Sequence, residues 1–494
     1  MQIEVGLPVR LRRGAALALG LVLLIVAAVW HPVASRAAST LLVGPGHRFA
    51  MPCQAIAAAR PGDTVAIDAR GNGHYNGDVC GWSTNGLTIV GISGRAHIDA
   101  AGRSSRGKAI WVIAGDDTRI ENIELSGAAV PDRNGAGIRQ EGAGLVVAHS
   151  YFHDNQDGIL AGDNAGSDIV VESSEFARNG AGDGYSHNMY IGHVRSFTLR
   201  YSWSHDAKVG HLVKSRAYRN DIRYNRLTGE TGTSSYELDL PNGGLSYVVG
   251  NVIQQGSRTQ NPALVEFGLE GSLNPGSRLY LVNNTLVNGL GRGSAVLLAG
   301  GVTALVQNNL SVGSTQLATG HATLRVNCLT STRWFVNPAA YDFHLRSGSP
   351  CIGVSRPAGA RLTPTAEYVQ PTGRRHRSQP DQRDAGAFGH GAPQPRSTPS
   401  AHPSARRTAS RSSNRSAPAV STSSEEQTSA SGLPAAVAAT PASARVSSGN
   451  RSQTGLWLLA LGGLVAGGVA TVGIWRRRAG PAGGGRHSGP GRHR

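Results

Sequence analysis

Three runs of the chain, GDGYSHNMYIGH, SWSHDAKVGHLVKSRA and SSYELDLPNGG, crowd His187, Asn188, Tyr190, His205, His211, Lys214, Arg216, Glu237, Asp239 and Asn242 into one stretch, and Glu266 follows. These side chains can move protons beside a carboxylate. Cleaving a uronic-acid polysaccharide by β-elimination requires a cation to neutralise the sugar carboxylate, a base for the C5 proton and an acid for the departing oxygen. Lysine, arginine or a carboxylate-bound cation can do the first task, and Lys, His or Tyr the others. C5 epimerisation needs the same abstraction, with the proton returned from the opposite face. Calcium is the cation that Glu237, Asp239 or Glu266 would hold, since hard cations want oxygen ligands.

Residues so spread converge only if the fold stacks them. A short polar residue recurs at Asn122, Ser150, Ser174, Ser202, Asn225, Asn251, Asn284 and Asn309, within segments such as RIENIEL, VVESSEF, YVVGNVI and ALVQNNL. Each segment is β-branched or aromatic with the polar residue near its centre, and such repeats predict the coils of a parallel β-helix. Asn in one place on successive coils can hydrogen-bond along the stack and tolerates the left-handed backbone of sharp corners. Aligning apolar positions places Ile191, Val213, Leu238 and Val265 in one inward column. Lys214, Asp239 and Glu266 then form an outward row, with Tyr190 and Glu237 in the neighbouring outward column. A surface ion ladder is the plain alternative for that row, and hydrogen-bonded turn positions for the histidines.

The flanks set the context. Residues 1–37 combine Arg10, Arg12 and Arg13 with a long apolar run, as in a secretory signal. The folded domain is expected over 41–391: a cap at 41–100, coils at 101–315 and a closing segment at 316–391. A Ser/Pro/Ala/Arg-rich linker at 392–452 has too few large apolar residues to fold. An apolar segment at 455–475 is long enough to span a bilayer, and the basic tail 476–494 marks the cytoplasmic side. Of the formal charge of +17, the region from Gly391 holds thirteen arginines against two glutamates, leaving +6 for the rest, so nucleic acid is excluded as partner. In an exported chain, two well-separated pairs of cysteines predict disulfides Cys53–Cys80 and Cys328–Cys351, one stapling each end of the solenoid.

Residues 41–390 resemble the pectate-lyase-like superfamily of right-handed parallel β-helices, particularly exported bacterial β-helix repeat proteins. Within them, HLVKSRAYRNDIRYN is similar to the Lys-Ser coil of the alginate lyase and chondroitinase B group. That resemblance implies Lys214 as base. The following coil, SYELDLPNGG, lacks that group's Arg-His-Gly segment, which leaves Arg216 or a histidine to substitute.

The expectation is an all-β, single-stranded right-handed parallel β-helix, exported and membrane-tethered, that acts on an acidic polysaccharide as a lyase or epimerase. Lys214, Tyr190, His211, Glu237 and Asp239 carry the chemistry in this reading, while His187, Asn188, His205, Arg216, Asn242 and Glu266 bind substrate. A hydrolase using the carboxylates is a variant; a non-catalytic glycan-binding or structural surface protein is the alternative class.

Overall fold

The computed structural model describes residues 37–378 and 383–390. The expected signal segment up to residue 36, the linker 392–452, the apolar segment 455–475 and the tail 476–494 lie outside them. Among the described residues no helix is long and apolar enough to cross a membrane.

Each coil contributes short strands to three parallel sheets. Sheet A has twelve strands, from Thr40–Val43 to Thr323–Arg325; sheet B has ten, from Cys80–Trp82 to Gln316–Thr319; sheet C has ten, from Ala96–Asp99 to Cys328–Thr330. The chain visits A, then C, then B, and returns to A one coil later. Stacking therefore begins inside the segment expected to be a cap and extends beyond residue 315. Inward side chains from all three sheets, among them Ile120, Phe152, Phe176, Phe197, Leu238 and Val265, form one continuous core. Period-two alternation drives this, since every strand has one face toward the axis.

The corner between sheets A and C refines the sequence reading. The column of short polar residues runs Ser150, Ser174, Ser202, Asn225, Asn251, Asn284, Asn309 and Asn327, with Ile123, not Asn122, on the first of these coils. Asn122 stands one residue earlier, at the bend itself. Asn122, His149, Ser173, Tyr201, Tyr224, Gly250, Asn283 and Asn308 adopt φ between 48 and 70° there. The left-handed residue and the ladder residue are thus neighbours rather than one and the same. A second ladder, Asn155, Asn179 and Asn188, links the coils between sheets C and B.

Both ends are closed as expected. The helix Pro52–Ala58 lays Ala55 and Ile56 over the first coil, and Cys53 on it bonds to Cys80. At the other end Cys328, on the last strand of sheet C, bonds to Cys351. The closing segment adds two antiparallel hairpins and packs Phe335, Phe343, Leu345 and Phe388 on the outward face of sheet C against Val252, Val287 and Leu310.

Candidate active site on sheet B

The outward side chains of sheet B form a continuous row. Cross-strand pairing runs Arg139, Leu160, Tyr190, Lys214, Asp239, Glu266, Leu297. The expected row of Lys214, Asp239 and Glu266 is present, but Tyr190 belongs to it as the direct partner of Lys214. The strand Met189–Ile191 has two inward apolar residues, and Met189 rather than Ile191 takes Val213's level. Apolar matching alone does not tell one from the other.

The centre of the row is closed over. Lys214, Asp239 and Glu266 are only 6%, 1% and 2% exposed. The loop 268–277 covers them with Glu270, whose Oε1 lies 2.8 Å from Lys214 Nζ and whose Oε2 lies 2.7 Å from an Arg216 guanidinium nitrogen. Asn242 anchors that loop, donating to the carbonyls of Glu270 and Ser272 at 2.9 Å each. Arg216 also donates to Asn242 Oδ1 at 2.5 Å and, through Nε, to the Tyr190 hydroxyl oxygen at 2.9 Å. Glu270 had no sequence signal, because it lies on a loop outside the repeat pattern.

Protonation states follow from these partners. Burial works against charge on Lys214, but Asp239 at 2.8 Å and Glu270 outweigh it and raise its pKa, so it is an ammonium at neutral pH. That correction matters to the expected base: a lysine held charged by two carboxylates has no lone pair for a proton. Asp239 and Glu266 share one proton. Burial and the neighbouring Asp239 push Glu266 up to about 10, while that hydrogen bond, His211 and Lys214 keep Asp239 low. His211, pushed down to about 4 by burial, is neutral; its Nδ1 accepts the Tyr236 amide, so its Nε2 hydrogen faces Asp239 at 3.2 Å.

Four of the expected site residues do not reach this surface. Glu237 is fully buried, with Oε1 accepting from Ser234 Oγ, and burial drives its pKa far up. Asn188 is a member of the buried ladder and donates to Ser204 Oγ and the His205 carbonyl. His205 belongs to sheet C, stacked on Trp203 and held between Glu175 and Asp206. His187 is 2% exposed and accepts the His211 amide on Nδ1; it begins a stack of one ring per coil through His211 and Tyr236, with centroids 4.7 and 5.5 Å apart. Of the four, His187 also stacks on Tyr190 of the row, with centroids 5.7 Å apart.

Toward the N-terminal coils the row opens into a groove of about 470 Å³ lined by Arg133, Arg139, Asp163, Asp183, Tyr185 and Tyr190. Tyr185 is 87% exposed there, an apolar plate of the kind sugar rings stack on. Asp157 forms the groove floor, and burial pushes it up to about 8.

Glu237, Glu266 and Asp157 give a testable pH dependence. Each holds its proton in the folded state and loses it near pH 4 when unfolded, so the folded state binds more protons and stability falls as pH rises. The loss starts near the ordinary carboxylate pKa and continues to about pH 8 for Asp157 and about 10 for Glu266. Each group contributes a slope of up to ~1.4 kcal/mol per pH unit. Below about pH 6.5 the buried neutral His187 and His211 contribute the opposite slope, so the thermal midpoint is expected to decline between about pH 6.5 and 8, and Glu237→Gln to flatten that decline. A midpoint rising over this range would contradict the assigned protonation.

The fold defines the chain as a parallel β-helix of three sheets. No family model matches the chain, and no curated protein matches it in sequence. Among solved structures, pectate lyase Pel9A shares 14% identity at a TM-score of 0.43, over 68% of this chain and 90% of that one. The alginate lyase AlyGC, of family PL6, shares 16% at 0.36, over 60% of this chain and 40% of that one. Pectin methylesterase PemA from Erwinia chrysanthemi shares 13% at 0.33, over 46% and 81%. These likenesses concern the course of the chain; residue roles rest on the site itself.

Proposed function

We propose that the outward row of sheet B binds an acidic polysaccharide and abstracts the C5 proton of a uronate, as a lyase or epimerase. The observation that carries this reading is the carboxylate already there: Lys214 and Arg216 grip Glu270 through both its oxygens. A uronate carboxylate taking that place would meet the same two cations, with Tyr190 beside it. In β-elimination the Tyr190 phenolate takes the C5 proton, the C5–H electrons form the C4–C5 double bond, the C4–O bond breaks and the leaving oxygen takes that proton from the Tyr190 hydroxyl. The Arg216 N–H aimed at the Tyr190 oxygen stabilises the phenolate that acts as base. The groove with Tyr185 and Arg139 would hold the neighbouring sugars. Calcium is not needed for the neutralising task, and Asp239 and Glu266, 1% and 2% exposed, are too deeply buried to flank a glycosidic bond as the carboxyl pair of a hydrolase does. Export fits the two disulfides, and the segment 455–475 would tether the protein to the membrane.

The test is incubation of the purified full chain with alginate, pectate, glycosaminoglycans and neutral glycans, with and without calcium, following ultraviolet absorbance of unsaturated uronate ends. A rise with one acidic polymer supports the lyase. A proton exchanged from solvent into C5 without absorbance supports the epimerase. Binding without either would leave a glycan-binding protein. Because Glu270 occupies the carboxylate position, Glu270→Gln is expected to tighten binding of the acidic polymer about tenfold in affinity electrophoresis; weaker binding would show Glu270 to be part of the site rather than its occupant.

A further inference from the structure

On sheet C, a different face from the row just described, two imidazoles and a carboxylate from three consecutive coils converge. His97 lies on the strand Ala96–Asp99, Glu124 on Ile123–Ser126 and His153 on Tyr151–His153. His97 is the cross-strand partner of Glu124, and His153 stands in the adjacent outward row, opposite Ser126. His153 Nε2 is 3.0 Å and His97 Nε2 is 3.7 Å from the same oxygen, Glu124 Oε1. The three side chains are 28%, 24% and 16% exposed in chain order, so solvent ions reach them.

Either protons or one divalent ion can hold this arrangement together. His153 Nδ1 lies 2.9 Å from Asp154 Oδ2, which can only accept, so Nδ1 carries the hydrogen. A neutral ring then directs the Nε2 lone pair at the Glu124 carboxylate. A second proton on His153 relieves that contact, and His97 Nε2–H can donate to Ser126 Oγ at 2.8 Å, whose hydroxyl donates to Asp99 Oδ2 at 2.6 Å; a metal would bind in place of these protons. One divalent ion satisfies all three ligands. Around a tetrahedral metal with bonds of about 2.0–2.2 Å, ligand atoms stand roughly 3.3 Å apart, close to the observed 3.0 and 3.7 Å. Asp154 would act as the outer carboxylate that fixes the ring of a metal-bound histidine, and Arg178 holds Asp154 in turn at 2.8 Å.

We infer that His97, Glu124 and His153 bind a single first-row divalent metal of the zinc class, with at least one coordination position left to water. Two imidazoles select against calcium and magnesium, which want oxygen. The bound ion ties the first three coils of sheet C together on the part that the closing segment leaves uncovered. No residue of the sheet B row takes part, so this site and the proposed polysaccharide chemistry stand or fall separately.

The full chain, stripped with a chelator and dialysed, is titrated with zinc chloride by calorimetry, with calcium and magnesium chlorides as comparisons. The expected result is one zinc per chain with little heat from the other two. His97→Gln and His153→Gln should each weaken zinc about 100-fold, and Asp154→Asn about 10-fold. His205→Gln, which removes a second group of ligand type, His205 with Asp206 and Glu230, should leave the affinity unchanged. Zinc protection of His97 and His153 from diethyl pyrocarbonate in the unaltered protein gives a readout independent of whether any variant folds. No zinc binding, unaltered binding in the His97→Gln/His153→Gln double variant, loss confined to His205→Gln, or no protection would each overturn the inference.

Discussion

Replacing Tyr190 by phenylalanine is expected to lower uronate turnover about 10²–10⁴-fold while leaving the thermal midpoint almost unmoved. The substitution removes one oxygen. It keeps the ring that stacks with His187, 5.7 Å between centroids, and the ring face under the Arg216 guanidinium at 5.8 Å. The Arg216 Nε hydrogen loses its acceptor, but that side chain is partly solvent-exposed and its terminal nitrogens keep Asn242 and Glu270. Substrate binding through Lys214 and Arg216 should persist, so the loss belongs in kcat rather than KM. A variant keeping more than a tenth of the rate would remove Tyr190 as proton carrier. Lys214→Ala is a poor substitute for this experiment. Removing the ammonium strands a buried Asp239 carboxylate, at a cost of about 3–5 kcal/mol, and activity would be lost by unfolding as readily as by chemistry.

Much of this architecture was legible because a solenoid repeats itself. One residue type at one interval fixes the coil, and the Lys214–Asp239–Glu266 row follows from alternation once the inward column is aligned. The same logic misplaced Tyr190 and Asn122. In Met189–Ile191 both inward residues are apolar, so a two-residue slip costs nothing in pattern, and at Asn122 a polar residue at the bend imitates the ladder residue beside it. Glu237 and Asn188 have the residue types of an active site, yet their coils turn them inward, where Ser234 and Ser204 satisfy part of their hydrogen bonding. Nothing local distinguishes such a residue from an exposed one. Glu270 and the His97–Glu124–His153 group escaped for the opposite reason. Their partners lie one or more coils away, and the interval between them carries no motif.

The ladder itself is the largest stability term that a single substitution can expose. Asn251 accepts the Asn225 amide and an Asn225 Nδ2 hydrogen, both at 2.9 Å, and donates to the Ile222 carbonyl at 2.9 Å and to Asn284 Oδ1 at 3.0 Å. It is fully buried, so no water replaces what is removed. Asn251→Ala strands the Asn225 amide and the Ile222 carbonyl and leaves a void at the corner. Unsatisfied buried groups cost about 1–3 kcal/mol each, so a total loss of about 4–5 kcal/mol is expected, read as a lower denaturant midpoint. Asn251→Ser should recover part of it. Ser150, Ser174 and Ser202 show how: each hydroxyl accepts the amide of the preceding coil or residue column and donates to the carbonyl two residues back in its own coil. Serine thus serves the corner but does not bond carbonyls across coils as asparagine does. If Asn251→Ala and Asn251→Ser are equally destabilised, the cost lies in lost volume and the cross-coil hydrogen bonds contribute little; if Ser lies midway, the chain's change from serine to asparagine after Ser202 marks where the stack relies on bonds between coils.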